Sequence, residues 1–336
     1  MRLPPRWLRR CVAPIVLAAL LVVAVAVLLV AIVPLAVLSV IWPTVRRALR
    51  AVVFAPVALG VEAAALVAAF WLWITRGDEA AHYRVLGRSL HALVRSASAL
   101  LALELDDEIR DWPAERLARS SHPLLVLCRH AGPGDSLVVL DALITHFGLR
   151  PALVMKERVR LDPVIDVYFD RLPAAFIDPR TDGGRWSGDA IGPLARRLGS
   201  GDALVMFPEG GNYTPRWRRR AIRHLVKRGH YANARRARRL RHVMPPRPGG
   251  VLAILEEATV DVLVIGHTGF GDIHSAGDAW RSLGWPKPLA LKAWFTPAHD
   301  VPVERDQRIA WLFEAWSAVD KWVASEVGRP GAPAAR

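Results

Sequence analysis

Leu124-Leu125-Val126-Leu127-Cys128-Arg129-His130-Ala131-Gly132-Pro133-Gly134-Asp135 is the stretch on which the reading of this chain turns. The apolar run Leu124 to Leu127 has the pattern of a strand buried on both faces. It ends in a turn that holds His130 and, five positions later, Asp135. Ser136 then opens a helix predicted to reach Phe147, with Gly148 placed to stop it. A histidine at a strand end, with a carboxylate within one turn to orient it, is the minimal kit for a general base acting on an alcohol. The same letters also describe a surface loop followed by an aspartate helix cap. The rest of the chain decides between the two.

Outward from this stretch, short apolar runs alternate with helical ones. Pro151 to Met155 reads as a strand followed by Lys156, and 162–170 as a helix. Ala174 to Ile177 reads as a strand that delivers Asp178-Pro179-Arg180. A helix over 187–198 leads to the strand Ala203 to Phe207, which runs into Pro208-Glu209-Gly210-Gly211. Further on come a helix over 251–258, strands over 261–266 and 289–295, and a closing helix over 308–323. Ile309, Leu312, Trp316, Val319 and Val323 form an apolar stripe on that last helix, the mark of core packing. This alternation predicts an α/β fold with a mainly parallel sheet flanked by helices. Sites in such sheets form outside the carboxyl ends of the strands. His130, Lys156, Asp178, Arg180 and Glu209 all follow strands directly, which favours a site over an ordinary loop.

The first 75 residues read as a membrane element. Val12 to Ile41 carries no charged side chain. Thirty helical residues reach about 45 Å, more than the roughly 30 Å hydrocarbon core of a bilayer. A second apolar run spans 51–74, interrupted by Pro56 and Glu62 and ending in Trp71 and Trp73. Arg2, Arg6, Arg9 and Arg10 precede the first run, and Arg46, Arg47 and Arg50 separate the two. Cationic flanks on both sides of one segment, and an acid inside the other, leave two arrangements open: a transmembrane hairpin, or a helix pair sunk into one leaflet. Residues 76–122 read as a connecting helix and linker, 123–327 as the main domain and 328–336 as a tail.

The net charge of +14 favours anionic partners. Residues 213–250 hold thirteen Arg or Lys and no Asp or Glu. Beside a membrane element this basic run points to anionic lipid rather than nucleic acid. Two cysteines, Cys11 and Cys128, make no disulfide framework. Cys128 sits two residues before His130, so a Cys–His nucleophilic pair is a rival chemistry, though a cysteine in an apolar run is usually packing. His267, Asp272, His274 and Asp278 match no metal-ligand spacing and read as loop residues.

His130-Ala-Gly-Pro-Gly-Asp135 resembles the H-x4-D motif of the glycerophospholipid acyltransferases, typified by 1-acylglycerol-3-phosphate acyltransferase. Phe176-Ile177-Asp178-Pro179-Arg180 resembles the family's second block, and Phe207-Pro208-Glu209-Gly210 its third. Lys156 falls where many members carry a lysine. Met244 to Gly250 and Val262 to Gly266 resemble the longer branch that includes lysocardiolipin-type enzymes. Arg129 and Gly132 stand where the family often has Asn and Ser. Pro179 interrupts the usual Asp-Arg pair, and Gly211-Asn212 replaces the Thr-Arg after the third block.

The resemblance implies transfer of a fatty acyl group from acyl-CoA or acyl carrier protein to the hydroxyl of a lysophospholipid, with 1-acylglycerol-3-phosphate as the leading acceptor. It implies no cofactor and no metal. His130 would act as base and Asp135 would orient it. Lys156, Arg180 and Glu209 with Gly210 would serve the substrate, and Arg216 or Arg218 would replace the missing arginine. Glycines of the first turn would leave backbone N–H groups open to an oxyanion. Lysophosphatidylglycerol, lysocardiolipin and lysophosphatidylinositol are alternative acceptors. A membrane acyl thioesterase with the same His–Asp pair is the alternative reaction. The expected location is the cell membrane, with the domain on its cytoplasmic face.

Overall fold

The computed structural model describes residues 3–101, 103–105, 117, 120–132, 134–177, 188–269, 280 and 287–327. Helices α1 (Arg6–Ser39), α2 (Pro43–Ile74) and α3 (Glu79–Leu101) open the chain. The short strand β1 (Leu103–Leu105) precedes β2 (Leu124–Cys128), α4 (Asp135–Asp141), β3 (Arg150–Lys156), α5 (Pro163–Tyr168) and β4 (Ala174–Ile177). Next come α6 (Gly188–Arg196), β5 (Asp202–Met206), α7 (Pro215–Lys227), α8 (Tyr231–Arg239) and α9 (Pro248–Glu257). The chain closes with β6 (Asp261–His267), β7 (Lys287–Leu289), β8 (Leu291–Thr296) and α10 (Arg305–Val327).

Six strands form one sheet in the order β4-β3-β5-β2-β6-β8. All neighbours are parallel except β6 and β8, which are antiparallel. The predicted α/β architecture is therefore present, with one antiparallel edge strand. Strand β2 is central, between β5 and β6, and all five of its residues are buried. That position explains why its sequence is uniformly apolar rather than alternating.

The two faces of the sheet bury separate cores. Leu124, Val126, Cys128, Val205 and Leu263 pack with residues of α2, α3 and α4 on one face. Leu125, Leu127, Leu204, Met206 and Val262 pack with α6, α9 and α10 on the other. In α10, Leu312, Trp316, Val319 and Val323 are buried, as their spacing predicts.

Some boundaries differ from the sequence reading. The helix after the His130 turn starts at Asp135 and passes into a π-helical turn over Ala142–His146 before Gly148, at φ +62°, ends it. Helix α9 starts three residues before the predicted position, because Pro248 at its first turn needs no hydrogen-bonded N–H there.

Helices α1 and α2 are each long and apolar enough to cross a membrane. Many of their large side chains are exposed, among them Val22, Val30, Val33, Val67 and Trp71. This pattern associates the element with a membrane. Two features of the helix pair change how its charges are understood. Arg9 Nη2 donates to Asp166 Oδ1 at 2.8 Å, Arg10 Nη2 lies 3.2 Å from Asp170 Oδ2, and Arg6 also pairs with Asp170. These cations clamp α1 to α5 and are partly neutralised there, so they count less as a free positive flank. Glu62 is not isolated in mid-segment either. It lies level with Leu8, Arg9 and Val12, beside the domain, where α2 starts to pack on it through Ala65 and Ala69. Tyr168 donates its hydroxyl proton to the Ala65 carbonyl at 3.0 Å and fixes that junction.

Candidate active site

Parallel pairing carries the ends of β2, β3, β5 and β6 to one edge of the sheet. His130 follows β2, Lys156 ends β3, Glu209 and Gly210 follow β5, and His267 ends β6. Because β2 lies between β5 and β6, the His130 turn has the Glu209 turn on one side and His267 on the other.

His130 Nδ1 lies 3.0 Å from Asp135 Oδ2. A carboxylate oxygen only accepts, so Nδ1 carries the proton and Nε2 keeps its lone pair. The same Oδ2 accepts from the backbone N–H of Ala131 at 2.9 Å and of Gly132 at 3.2 Å. Oδ1 accepts from Ser136 N–H at 2.6 Å. Gly134, at φ +96°, makes the tight turn that brings Asp135 back under His130, a conformation glycine adopts without strain. The turn N–H of Gly132, expected to be open to an oxyanion, is thus spent on Asp135.

His267 is a part of this arrangement that its sequence context concealed. It is 1% exposed. Its Nε2 lies 2.8 Å from the Arg129 carbonyl and 3.4 Å from Asp135 Oδ2. Both neighbours are acceptors, so Nε2 carries a proton shared between them. Burial alone would raise the Asp135 pKa; the hydrogen bonds from His130 and His267 outweigh that and hold it well below the usual carboxylate range.

Arg129 is buried beneath the turn, with its guanidinium donating to the carbonyls of His267 and, at 3.1 Å, His242. It braces the end of β6 against the loop that follows α8. Glu209, expected to face substrate, lies inside the domain and is 1% exposed. Its Oε1 accepts from Trp316 Nε1 at 3.1 Å. Burial pushes its carboxyl up to about 8, against the opposing effects of Arg129, Trp316 and the Met244 backbone. Cys128 is fully buried, donates to the Arg129 carbonyl at 3.2 Å, and has its thiol pushed well above the ordinary range by burial. A thiolate nucleophile needs the opposite surroundings.

His130, Lys156, Phe207 and Gly210 line the polar end of a cavity of about 310 Å³. The imidazole leans on the Phe207 ring, with centroids 4.8 Å apart. Away from this end the walls are mostly apolar, with Val61 and Ala65 of α2, Leu86, Leu90 and Leu93 of α3, and Leu137, Leu140, Val164, Ile165 and Phe169, although Glu62, Ser89, Arg158 and Asp162 also line the cavity. The helix pair of the N-terminus thus supplies part of the wall. An apolar slot ending at an oriented imidazole suits a long acyl chain whose reactive end meets a base.

The other predicted residues fare differently. Arg180 and Asp178 lie outside the described residues, as do Asp272, His274 and Asp278. Arg216 is exposed on the first turn of α7 and is not among the cavity-lining residues. Arg218 donates to the carbonyls of Leu240 and, at 2.9 Å, Arg238, closing the end of α8 rather than facing the cavity.

Residues 110–268 match the family model described as Acyltransferase. This span runs from ahead of β2 to the residue after β6, and so contains His130, Asp135, Lys156, Glu209, Gly210 and His267, but not the cavity wall from α2 and α3. No curated protein matches the chain. The match supports acyl transfer as the general chemistry of this part of the chain.

Proposed function

We propose that the chain transfers a fatty acyl group from an acyl thioester to the free hydroxyl of a lysophospholipid, with 1-acylglycerol-3-phosphate the leading acceptor. The observation that carries this reading is the His130–Asp135 pair at the polar end of an apolar slot partly walled by membrane-type helices.

Acyl transfer needs a base for the hydroxyl proton and a route for the leaving thiol. His130 Nε2 takes the proton as the hydroxyl oxygen attacks the thioester carbonyl. Asp135 stabilises the imidazolium and keeps the ring in the productive tautomer. The tetrahedral intermediate collapses, the C–S bond breaks, and the imidazolium returns its proton to the departing sulfur. The hydroxyl attacks directly, so no enzyme-bound acyl group is required. Lys156 offers its ammonium to the head group from the polar end, and Arg180 is proposed for the same role. The domain works at the cytoplasmic face of the cell membrane, with acyl-CoA or acyl carrier protein as donor.

The test uses the full chain in membranes with acyl-CoA and either lysophosphatidate, lysophosphatidylglycerol or lysophosphatidylinositol. His130→Ala should lower turnover by about 10²–10⁴-fold, the usual worth of a positioned base. Failure of every acceptor with wild type, or equal rates for the variant, overturns the reading. Donor cleavage that continues at full rate without lysophospholipid would make the enzyme a thioesterase.

A further inference from the structure

Among the described residues, two cations converge beside the cavity without a carboxylate in pairing distance. Gly210, at φ +70°, turns the chain just after β5. A Cβ built on it would lie 2.9 Å from Arg247 Cζ, 3.0 Å from Nε and 3.1 Å from Nη1. The guanidinium therefore rests directly on the glycine backbone, an approach that any other residue at 210 would block. A Cβ on Gly211 would lie 3.8 Å from Lys156 Nζ. Arg247 and Lys156 thus bracket two consecutive glycines, and Lys156 and Gly210 both line the cavity with His130.

The fold holds Arg247 there deliberately. Its N–H donates to the Pro208 carbonyl at 2.8 Å. Asp320 Oδ1 accepts from the N–H groups of Arg241, His242 and Val243, at 2.8, 2.5 and 3.1 Å, and anchors the start of the same loop. Among the described residues neither Arg247 nor Lys156 pairs with an acid. Each cation has a lowered pKa: Lys156 from burial and then from Arg158 and Arg247, and Arg247 from burial. Like charges held together and partly desolvated favour an anion between them.

We propose that Arg247 and Lys156 form a subsite for a phosphate monoester, carried by the acceptor head group. This rests on the acyltransferase reading above. A monoester carries close to two negative charges near neutrality and a phosphodiester one, so the monoester gains more from the paired Lys156 and Arg247, with Arg158 nearby adding to the same field. The guanidinium, flat on Gly210, keeps its N–H edge for bidentate contact with phosphate oxygens.

The experiment compares wild type with Arg247→Gln and Arg247→Lys in nanodiscs. The readout is the ratio of kcat/KM for 1-oleoyl-lysophosphatidate to that for 1-oleoylglycerol, with the KM for acyl-CoA measured alongside. Arg247→Gln should lower that ratio about 10- to 100-fold, the worth of a charged hydrogen bond, mainly through the lysophosphatidate KM. Arg247→Lys should recover part of it. An unchanged ratio overturns the proposal, and so does an effect confined to the acyl-CoA KM, which would assign the cations to the donor's phosphates. A second arm measures binding of labelled lysophosphatidate to His130→Ala with and without Arg247→Gln. It tests the subsite even if no acceptor is acylated, so failure of the subsite and failure of the acyltransferase reading are told apart. Inorganic phosphate should displace the lipid only at far higher concentration; equal potency would make this a site for free phosphate and overturn the head-group assignment.

Discussion

The two halves of the cavity's polar end are built on opposite terms. Around Asp135 the chain satisfies its own charge: two imidazoles and three backbone N–H groups converge on one carboxylate. Around Gly210 and Gly211 two cations converge with, among the described residues, no carboxylate in pairing distance. The first half already holds an oriented imidazole, so in the proposed reaction nothing there has to be reorganised when the hydroxyl reacts. The second half leaves its positive charge without an acidic partner among the described residues, a cost that the proposed anion would offset. On the proposed reading, chemistry is fixed by the protein on one side, and recognition is left for the substrate to complete on the other.

The most severe way to break this contrast is Asp135→Asn. An asparagine oxygen can still accept from the backbone, but its NH₂ cannot accept the His130 Nδ1 proton. The imidazole then loses the tautomer that leaves Nε2 free. We expect kcat to fall by about 10³–10⁴-fold with a much smaller change in acceptor KM. The stability effect has a definite sign. The Asp135 pKa is held low in the folded chain, so it contributes stability above the ordinary carboxylate pKa and loses it as pH falls through the folded value. The variant should therefore differ most from wild type at neutral pH and least in acid. A kcat within tenfold of wild type would mean that His130 is oriented by something else.

A gentler intervention separates the two imidazoles. His267 reaches Asp135 from β6 and never lines the cavity, so it is a positioning residue rather than a base. His267→Ala should lower kcat about tenfold by loosening Asp135, in the range of a long hydrogen bond to a charged acceptor. His267→Gln, which can restore a donor, should recover most of that loss with the acceptor KM unmoved. A purely structural role would lower the amount of folded protein without this recovery pattern in kcat.

How much of this was legible depends on whether the signal was local. Strand β4 appears at the predicted residues, Ala174–Ile177, and β3 and β5 within one residue, because buried strands announce themselves by composition. His130 and Asp135 were legible because a turn of six residues carries both. His267 was not: it is 132 positions beyond Asp135, and only the β2–β6 pairing, Cys128 opposite Ile265, brings it close. Arg247 was hidden in a proline-rich loop for the same reason, since the Asp320 anchor and the contact with Gly210 are both distant in sequence. Arg218 was misleading in the other direction. A cation three residues into a basic helix looks available, but carbonyls at the end of α8 take it. Glu209 followed a strand directly, yet local pattern does not say that Trp316 closes over it.

Glu209 also gives the smallest and most selective effect. Its carboxyl is buried between Trp316 and the braced Arg129, and burial raises its pKa from 4.5 to about 8. Below about 4.5 both the folded and unfolded chains hold the proton, and the group contributes nothing to pH dependence. Between about 4.5 and about 8 the unfolded chain ionises while the folded chain keeps its proton, so this residue makes stability fall as pH rises. Glu209→Gln keeps the shape and the acceptor for Trp316 but removes the titration. The variant should match wild type near pH 4.5 and gain on it steadily toward pH 8, each kcal/mol appearing as about 2–4 °C in Tm. Detergent-solubilised full chain followed by thermal unfolding at several pH values reads this directly. A constant offset at every pH would mean that Glu209 is ionised throughout, paired with Arg129. The interior beneath the turn would then be held by an ion pair, and the contrast between a self-satisfied half and an open half would extend below the cavity floor.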